Sequence, residues 1–394
     1  MYFCAKFMMM ENFSMTAKSL HGFESVLAKE IKNLGGMNVK EGVRHVSFEG
    51  DTGFMYKANL CLRTAISILK PIKSFRIENE QDFYQRLYEF PWEDYIDKNG
   101  SFAIDSTVNS EVFNHSRYVV FRAKDAIVDR FRDKFSTRPN IDTKEPDFRL
   151  NVHIDRFQCN LSINTSGEPL FKRNYKSATN IAPINEVLAA SLLLASGWDG
   201  QCDFLDPMCG SGTIAIEAAM IACQIPANIN REDFAFMKWP EFDRSFYEKI
   251  KASALKKIRP FHFKIKAYDK APSAVEKAIQ NVKNANLSEF IEVERKDFFE
   301  TEKETERHLH MLFNPPYGER LDIDIPEFYS KIGDTLKQGY PDTTAWFIAV
   351  VEGGAMKHVG LRPSRKIKVF NAKLESRLLR YDIYKGSKKA KKQD

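Results

Sequence analysis

Between residues 22 and 34, the apolar positions Phe23, Val26, Leu27, Ile31 and Leu34 recur at helical spacing and form one stripe along a predicted helix. Gly35-Gly36 supplies its stop, because glycine accepts the left-handed backbone that closes a helix. A strand is expected before it at 14–18, two more after it at 37–40 and 43–48, and then a helix at 53–61. This β-α-β-β-α order suits a ferredoxin-like split βαβ unit. Beyond Pro71 the alternation resumes, with helices near 81–90 and 118–135 and strands at 102–108, 150–154 and 158–163. From about residue 172 the rhythm changes. Apolar strands at 202–205, 263–268, 291–294, 311–313 and 345–351 alternate with longer helical patterns, which predicts an α/β fold with a mostly parallel sheet. Segments 366–370 and 378–384 are expected to close that sheet as a strand pair.

A chain of 394 residues exceeds one small core, so two or three domains are expected. Its 43% hydrophobic and 28% charged residues are ordinary for a soluble globular protein, and no apolar run approaches the roughly 20 residues that cross a bilayer. The stretch through Met10 is apolar but short and broken by Lys6, so residues 1–12 read as a disordered leader and not a signal peptide. Six scattered cysteines without a C-x-x-C pair argue against a zinc or disulfide framework and fit a reducing cytoplasm; no metal is expected. The net charge of +6 permits a polyanionic partner without requiring one. Lysines at 385, 388, 389, 391 and 392 mark a basic tail, 386–394, read as solvated and disordered in preference to an RNA-contacting arm.

The first chemical signal is a loop between a strand and an apolar helix at 214–223: Leu205-Asp206-Pro207-Met208-Cys209-Gly210-Ser211-Gly212-Thr213. Gly210 and Gly212 remove side chains where backbone must approach a ligand, and the helix N-terminus beyond them favours a carboxylate or phosphate. Gly210-x-Gly212-x-x-Ala215 also matches a dinucleotide fingerprint weakly, whereas the absence of Gly-Lys-Ser/Thr excludes a P-loop. The next strand ends at Asp269-Lys270, where an acid can accept from ribose hydroxyls, cap the helix at 271–285, or do both. In the dinucleotide pattern that acid follows the glycines by about 20 residues. Here it comes much later, across an insertion containing Asn230, Arg231, Phe234, Phe236 and Trp239. The following strand leads to Lys296-Asp297-Phe298, with an acid for an adenine amino group and a ring for its face.

The second signal is Asn314-Pro315-Pro316-Tyr317, after the fourth strand. Two prolines stiffen the backbone and fix their carbonyls. The Asn314 side-chain oxygen and the Pro315 carbonyl can then accept both hydrogens of one –NH2 group. An exocyclic amine is conjugated with its base and is a poor nucleophile. Drawing its hydrogens out of plane aims the lone pair at an activated methyl donor such as a sulfonium, while Tyr317 stacks on the base. Orientation of this kind is worth about 7–11 kcal/mol in favourable cases. Without the acids and glycines before it, the same tetrapeptide would serve as a rigid strand-to-helix turn.

These residues resemble the class I methyltransferase motifs of the THUMP-bearing RNA methyltransferases, and are most similar to bacterial 23S rRNA guanine-N2-methyltransferases of the RlmL/YpsC type. Ser166 to Tyr175 looks like that family's link between its RNA-binding and catalytic halves, with Asn174 where glycine is usual. Ala182 to Ala190, Gly360-Leu361-Arg362-Pro363 and Asn371 to Leu378 are also similar, while Met208 replaces an aromatic residue. The resemblance implies a Rossmann-like C-terminal methyltransferase, doubly wound on a mostly parallel sheet, behind an α+β ferredoxin-like unit and a THUMP domain. The boundaries expected are 13–65, 66–165 and 166–385. It implies S-adenosylmethionine as cofactor, its methionine part framed by Asp206, Gly210 and Gly212, its ribose by Asp269 and its adenine by Asp297. It also implies RNA, 23S rRNA or a ribosomal precursor, as partner. Arg117, Arg122, Lys124, Arg130, Arg132 and Lys134 are candidates for phosphate contacts, though Asp125, Asp129 and Asp133 share their helix and fit a solvated face equally well.

Alternatives remain at this level. The same tetrapeptide serves adenine N6 in DNA and glutamine in protein, and another RNA base (tRNA guanine N2 or adenine N6) would fit. An RNA-binding assembly factor with a vestigial catalytic half is a rival from another class. A dinucleotide oxidoreductase leaves Asn314 to Tyr317 unexplained.

Overall fold

A computed structural model describes residues 11–177, 184–316, 324–371 and 374–385. The basic tail, and the expected leader up to residue 10, fall outside that range. The N-terminal half runs β1 (Phe13–Ser19), α1 (Glu24–Leu34), β2 (Met37–Gly42), β3 (His45–Gly50), α2 (Thr52–Cys61), β4 (Ala65–Arg76), α3 (Glu80–Glu89), β5 (Ser101–Asn109), α4 (Ser116–Phe135), β6 (Asn140–Ile141), β7 (Phe148–Asp155) and β8 (Gln158–Asn164). Helix α1 ends as expected, with Gly35 at φ +108°. Asp51 caps α2 by accepting from the Phe54 N–H, and Asn79 caps α3 through Gln81 and Asp82.

Strand β4 does not appear in the sequence pattern, because Pro71 interrupts it. The structure keeps it whole by a register shift between Pro71 and Lys73 against β8, which absorbs the missing N–H. β4 thereby pairs with β1 on one side and β8 on the other, and fuses the first two units into one eight-stranded sheet, β2-β3-β1-β4-β8-β7-β5-β6.

The C-terminal half runs α5 (Glu186–Ser196), β9 (Asp203–Asp206), α6 (Thr213–Ala222), α7 (Arg244–Leu255), β10 (Ile265–Asp269), α8 (Pro272–Asn284), β11 (Ile291–Arg295), β12 (Leu309–Phe313), α9 (Ile325–Gly339), β13 (Thr343–Val350), β14 (Arg365–Asn371) and β15 (Leu374–Ile383). Its sheet has the order β11-β10-β9-β12-β13-β15-β14, parallel through β13, with β15 antiparallel to both β13 and β14. The chain leaves β9 towards β10 and later returns to pair β12 on its other side. That reversal opens a crevice at the carboxyl ends of β9 and β12, the place where doubly wound sheets bind ligands.

Every residue of α6 is buried, and its side chains are mostly small or apolar. Burying Ile214, Ile216 and Met220 contributes about 1.5–3 kcal/mol apiece. The helix is therefore a rigid base for the loop that precedes it.

The insertion between α6 and β10 joins the two halves. It contains α7, which no periodic stripe announced. Phe234, Phe236 and Tyr247 from this insertion enter the core beneath α1 and α2, where Tyr56 stacks on Phe236 at 4.6 Å. Asn228 donates to the Asn59 carbonyl at 2.8 Å, and Arg231 is wrapped by the carbonyls of Ser166, Glu168 and Pro169. A second tie is ionic. Arg173 and Tyr175 both reach buried Glu217 on α6, while the other Arg173 nitrogen donates to the Arg63 carbonyl at 2.5 Å. Exposed Asn174 between them adopts φ +62°, a conformation asparagine tolerates better than most residues, which accounts for glycine being usual there.

Candidate active site

Four parallel strands present their carboxyl ends side by side, and each ends on a residue singled out from the sequence. Asp206 closes β9, Asp269 closes β10, Asp297 follows β11 and Asn314 follows β12. The register that pairs Met311 with Leu205 sets Asn314 and Asp206 at adjoining strand ends.

The glycine loop turns sharply. Gly210 has φ +56° and Gly212 φ +81°, and a Cβ on Gly212 would meet that of Ala278 on α8 at 3.3 Å. Three bonds hold the loop: Cys209 N–H to the Tyr268 carbonyl at 2.8 Å, Gly210 N–H to Asp269 Oδ2 at 3.0 Å, and Asn281 Nδ2 to the Ser211 carbonyl at 3.0 Å. Asn281 was not visible as a site residue. It lies on α8, and only the fold turns its fully buried amide onto the loop. Pro207, Cys209, Ser211 and Thr213 are buried and Met208 is half-buried.

Asp269 serves as helix cap and loop anchor together, with Oδ1 accepting from the Ala271 N–H at 2.9 Å ahead of Pro272. Two acceptor positions on that carboxylate remain for a ligand. Neighbouring Lys270 is exposed. Asp297 caps a short 3-10 turn through the Phe299 N–H at 3.1 Å. The Phe298 ring is not brought to the crevice. It is 2% exposed and packs against Phe299, Phe313 and Tyr340. Phe298 therefore offers a ligand its backbone, not its ring.

Among the described residues, two buried oxygens at the strand ends accept no hydrogen bond: Asp206 Oδ2 and Asn314 Oδ1. Such groups are costly unless a partner arrives, about 1–3 kcal/mol and more when charged. Burial drives the Asp206 carboxyl well above the usual range; the Met208 N–H opposes this and the charge of Asp269 adds to it. Thr213 Oγ1, at the start of α6, is likewise buried and unpartnered. Pro315 is buried and Pro316 half-buried, as a rigid turn requires, while Tyr317 lies outside the described residues. Among the described residues no cluster of His, Cys, Asp or Glu could hold a metal ion, and no helix is long and apolar enough to cross a membrane.

Of the basic residues on α4, four are already paired. Arg130 and Lys134 hold Glu93 at 2.6 and 2.5 Å, Arg132 meets Asp129 at 3.4 Å, and Lys124 meets Asp125 at 2.5 Å. Arg122 lies over the Tyr84 ring at 4.4 Å and Arg117 over Phe121 at 5.7 Å.

Comparison with known proteins agrees with this arrangement. Residues 173–380 match the RMKL-like methyltransferase domain model, residues 78–164 a THUMP domain and residues 14–69 the RlmL ferredoxin-like domain. The chain is 35% identical over 376 residues to ribosomal RNA large subunit methyltransferase K/L of Syntrophotalea carbinolica, covering 92% of this chain and 52% of that protein. It is 31% identical to a putative RNA methyltransferase of Synechocystis, covering 92% and 95%. The chain thus spans about half the length of the K/L relatives and nearly all of the Synechocystis one. Among solved structures, a possible methylase from Clostridium difficile superposes with a TM-score of 0.85 at 28% identity, covering 96% of this chain and all of that one. A putative methyltransferase solved with S-adenosylhomocysteine gives 0.84 at 27%, with the same coverage. Family models, relatives and fold agree: the chain belongs to the RMKL-like methyltransferase family, with RlmL ferredoxin-like and THUMP domains ahead of a class I catalytic sheet.

Proposed function

We propose that this chain transfers a methyl group from S-adenosylmethionine to the exocyclic N2 amine of a guanine in 23S rRNA. The observation that carries the reading is Asn314 Oδ1, a buried acceptor without a partner among the described residues, at the end of β12 beside the glycine loop.

The residues present fit the cofactor. A glycine turn admits backbone close to a ligand, Asp206 Oδ2 offers an unpaired buried carboxylate to a cationic amino-acid moiety, and Asp269 keeps acceptor capacity for ribose hydroxyls. Asp297 stands at the next strand end for the adenine. When bound, the cofactor supplies an already activated methyl group, so the protein needs no strong base.

What the chain supplies is orientation. Asn314 Oδ1 and the Pro315 carbonyl accept the two amine hydrogens, which frees the nitrogen lone pair from the ring and stabilises positive charge as it develops on nitrogen. Tyr317, next in sequence, stacks on the base. The base must leave any helical stack to reach this turn, at a cost of a few kcal/mol unless it already lies in a loop. The THUMP and ferredoxin-like units recognise the RNA. The proposed division is 13–65, 66–165 and 166–385, with β4 continuous across the first boundary.

Labelled S-adenosylmethionine incubated with deproteinised 23S rRNA, tRNA, DNA and protein, followed by nucleoside mass spectrometry, tests this reading. N2-methylguanosine in rRNA is expected. N6-methyladenosine, or label in protein only, would replace it. No cofactor binding by calorimetry at millimolar concentration would favour an assembly factor without catalysis.

A further inference from the structure

Helix α8 brings one face against the glycine loop. Gly212 and Ala278 meet there, where a Cβ on Gly212 would lie 3.3 Å from that of Ala278. Only a residue without a side chain, set against a small one, lets helix and loop come this close. One turn further along α8 is Asn281, fully buried as Ala278 and Val282 are.

Helix propensity does not favour asparagine at that position. It is a weak helix former, and a buried amide is costly unless its donor and acceptor are both used. Alanine would sit in the helix interior without either cost. Asn281 uses both ends of its amide, on two separate segments of chain. Nδ2 donates to the Ser211 carbonyl at 3.0 Å, and Oδ1 accepts from the Ser177 N–H at 3.2 Å. Neither of these bonds supports α8 itself.

The first bond completes the fixing of one peptide unit. The Gly212 N–H donates to the Cys209 carbonyl at 2.8 Å, so the peptide between Ser211 and Gly212 is held at its N–H and at its C=O. Because a peptide unit is planar, two such contacts set its tilt. Thr213 and the first turn of α6 follow directly and take their direction from it. Gly212, at φ +81°, has no side chain to resist a flip of that plane. The restraint on its carbonyl side comes from α8.

The second bond reaches the link between the two halves. Asn284, also on α8, donates to the Tyr175 carbonyl at 3.1 Å and to Ser177 Oγ at 3.0 Å. Tyr175 in turn donates from its hydroxyl to Glu217 on α6 at 2.9 Å. Residues 173–177 are thereby stitched to both helices that flank the loop, and Asn281 bonds to link and loop together.

We propose that Asn281 is a positioning residue for cofactor binding: its amide locks the Ser211–Gly212 peptide and registers the link, at Ser177, onto the glycine loop. The inference rests on the loop being the S-adenosylmethionine site. Asp269 also holds the loop, but keeps acceptor capacity of its own for a ligand. Asn281 acts through Ser211.

Calorimetric titration of the full chain with S-adenosylmethionine, at two pH values, tests it. Asn281→Asp keeps the side-chain shape and the acceptor for Ser177. At about pH 8, however, it turns a carboxylate oxygen onto the Ser211 carbonyl, and affinity should fall about tenfold relative to wild type. Burial raises the pKa of the carboxyl so introduced, and at about pH 5.5 it should hold a proton. The protonated group again pairs a donor for Ser211 with an acceptor for Ser177, so affinity should return to within about threefold of wild type at that pH. Asn281→Ala has no group to protonate and should be about tenfold weaker at both pH values. Arg173 and Lys176 on the link, Glu217 on α6, Asp269 ahead of α8, and Lys277 and Lys283 on it are present in wild type and variants alike. The ratio to wild type at each pH therefore isolates position 281. Melting curves establish that each variant is folded. A folded Asn281→Asp chain equally weak at both pH values overturns the positioning role, since a group that only fills space gains nothing from a proton. Wild-type affinity in Asn281→Ala overturns it as well, and decides the matter should Asn281→Asp fail to fold. A wild-type chain that binds no S-adenosylmethionine overturns the reading of the loop, and this inference with it.

Discussion

Asp269 Oδ2 accepts the Gly210 N–H at 3.0 Å, and this bond ties the tip of β10 to the turn of the glycine loop. The same carboxylate caps α8 through Ala271, so loop geometry and helix start depend on one side chain, as would the proposed ribose contact. Asp269→Ala removes a charge-assisted bond worth about 1.5–3 kcal/mol. The expected result is S-adenosylmethionine affinity lower by about 10–100-fold in calorimetry. Affinity unchanged from wild type would take Asp269 out of the cofactor site.

Asn314→Ala should separate chemistry from binding. Removing one pre-placed group from a transition-state site costs about 10²–10³ in rate. Single-turnover methylation is expected to fall by that order while calorimetric cofactor affinity stays within twofold. A wild-type rate would assign the turn a structural role only.

Glu217 anchors the seam between the halves. Burial pushes its carboxyl up while Arg173 and Arg63 oppose. Glu217→Ala leaves Arg173 buried without its partner, which costs about 3–5 kcal/mol. Replacing both with Met should cost much less, because no buried charge is orphaned. Urea unfolding of the two variants checks the difference; equal losses would show that the ion pair is not the source.

His310 gives the catalytic half a pH response. Buried among Trp198 and Phe204, with its Nε2 2.9 Å from Ser196 Oγ, its imidazole is held down to about 3 from an ordinary 6.5. The folded state therefore favours neutral histidine. Its contribution is fully present above pH 6.5 and is lost as pH falls towards 3, by roughly 5 kcal/mol in total. Calorimetric melting of His310→Gln should show a shallower fall across that window than wild type. Parallel curves would contradict the assignment.

Asn174 holds φ +62° between two buried anchors. Asn174→Gly should change the melting temperature little, whereas Asn174→Val forces a β-branched residue into that region at about 1–3 kcal/mol. A valine variant that melts with wild type would show that the turn relaxes.

Much of the site was legible in the chain because its signals are local. Glycines at 210 and 212, acids at the ends of two strands and an Asn-Pro-Pro turn are each chemistry at fixed spacing, and the structure sets them at neighbouring strand ends. The Phe298 ring went elsewhere, since alternation along a short segment does not reveal which neighbour will bury a side chain. Asn281 was invisible for the converse reason: its partner, the Ser211 carbonyl, lies 70 positions earlier.

The chain by itself determined the two kinds of half and the catalytic vocabulary, since hydrophobic period and turn chemistry are written within a few residues of one another. Only the tertiary structure decided that β4 survives Pro71 and fuses two units, that the insertion carrying Phe234 and Phe236 docks into the first core, and that Arg173 and Tyr175 converge on Glu217. Those outcomes depend on long-range register and on burial of groups far apart in sequence. No local pattern records which distant surface will exclude water from a side chain.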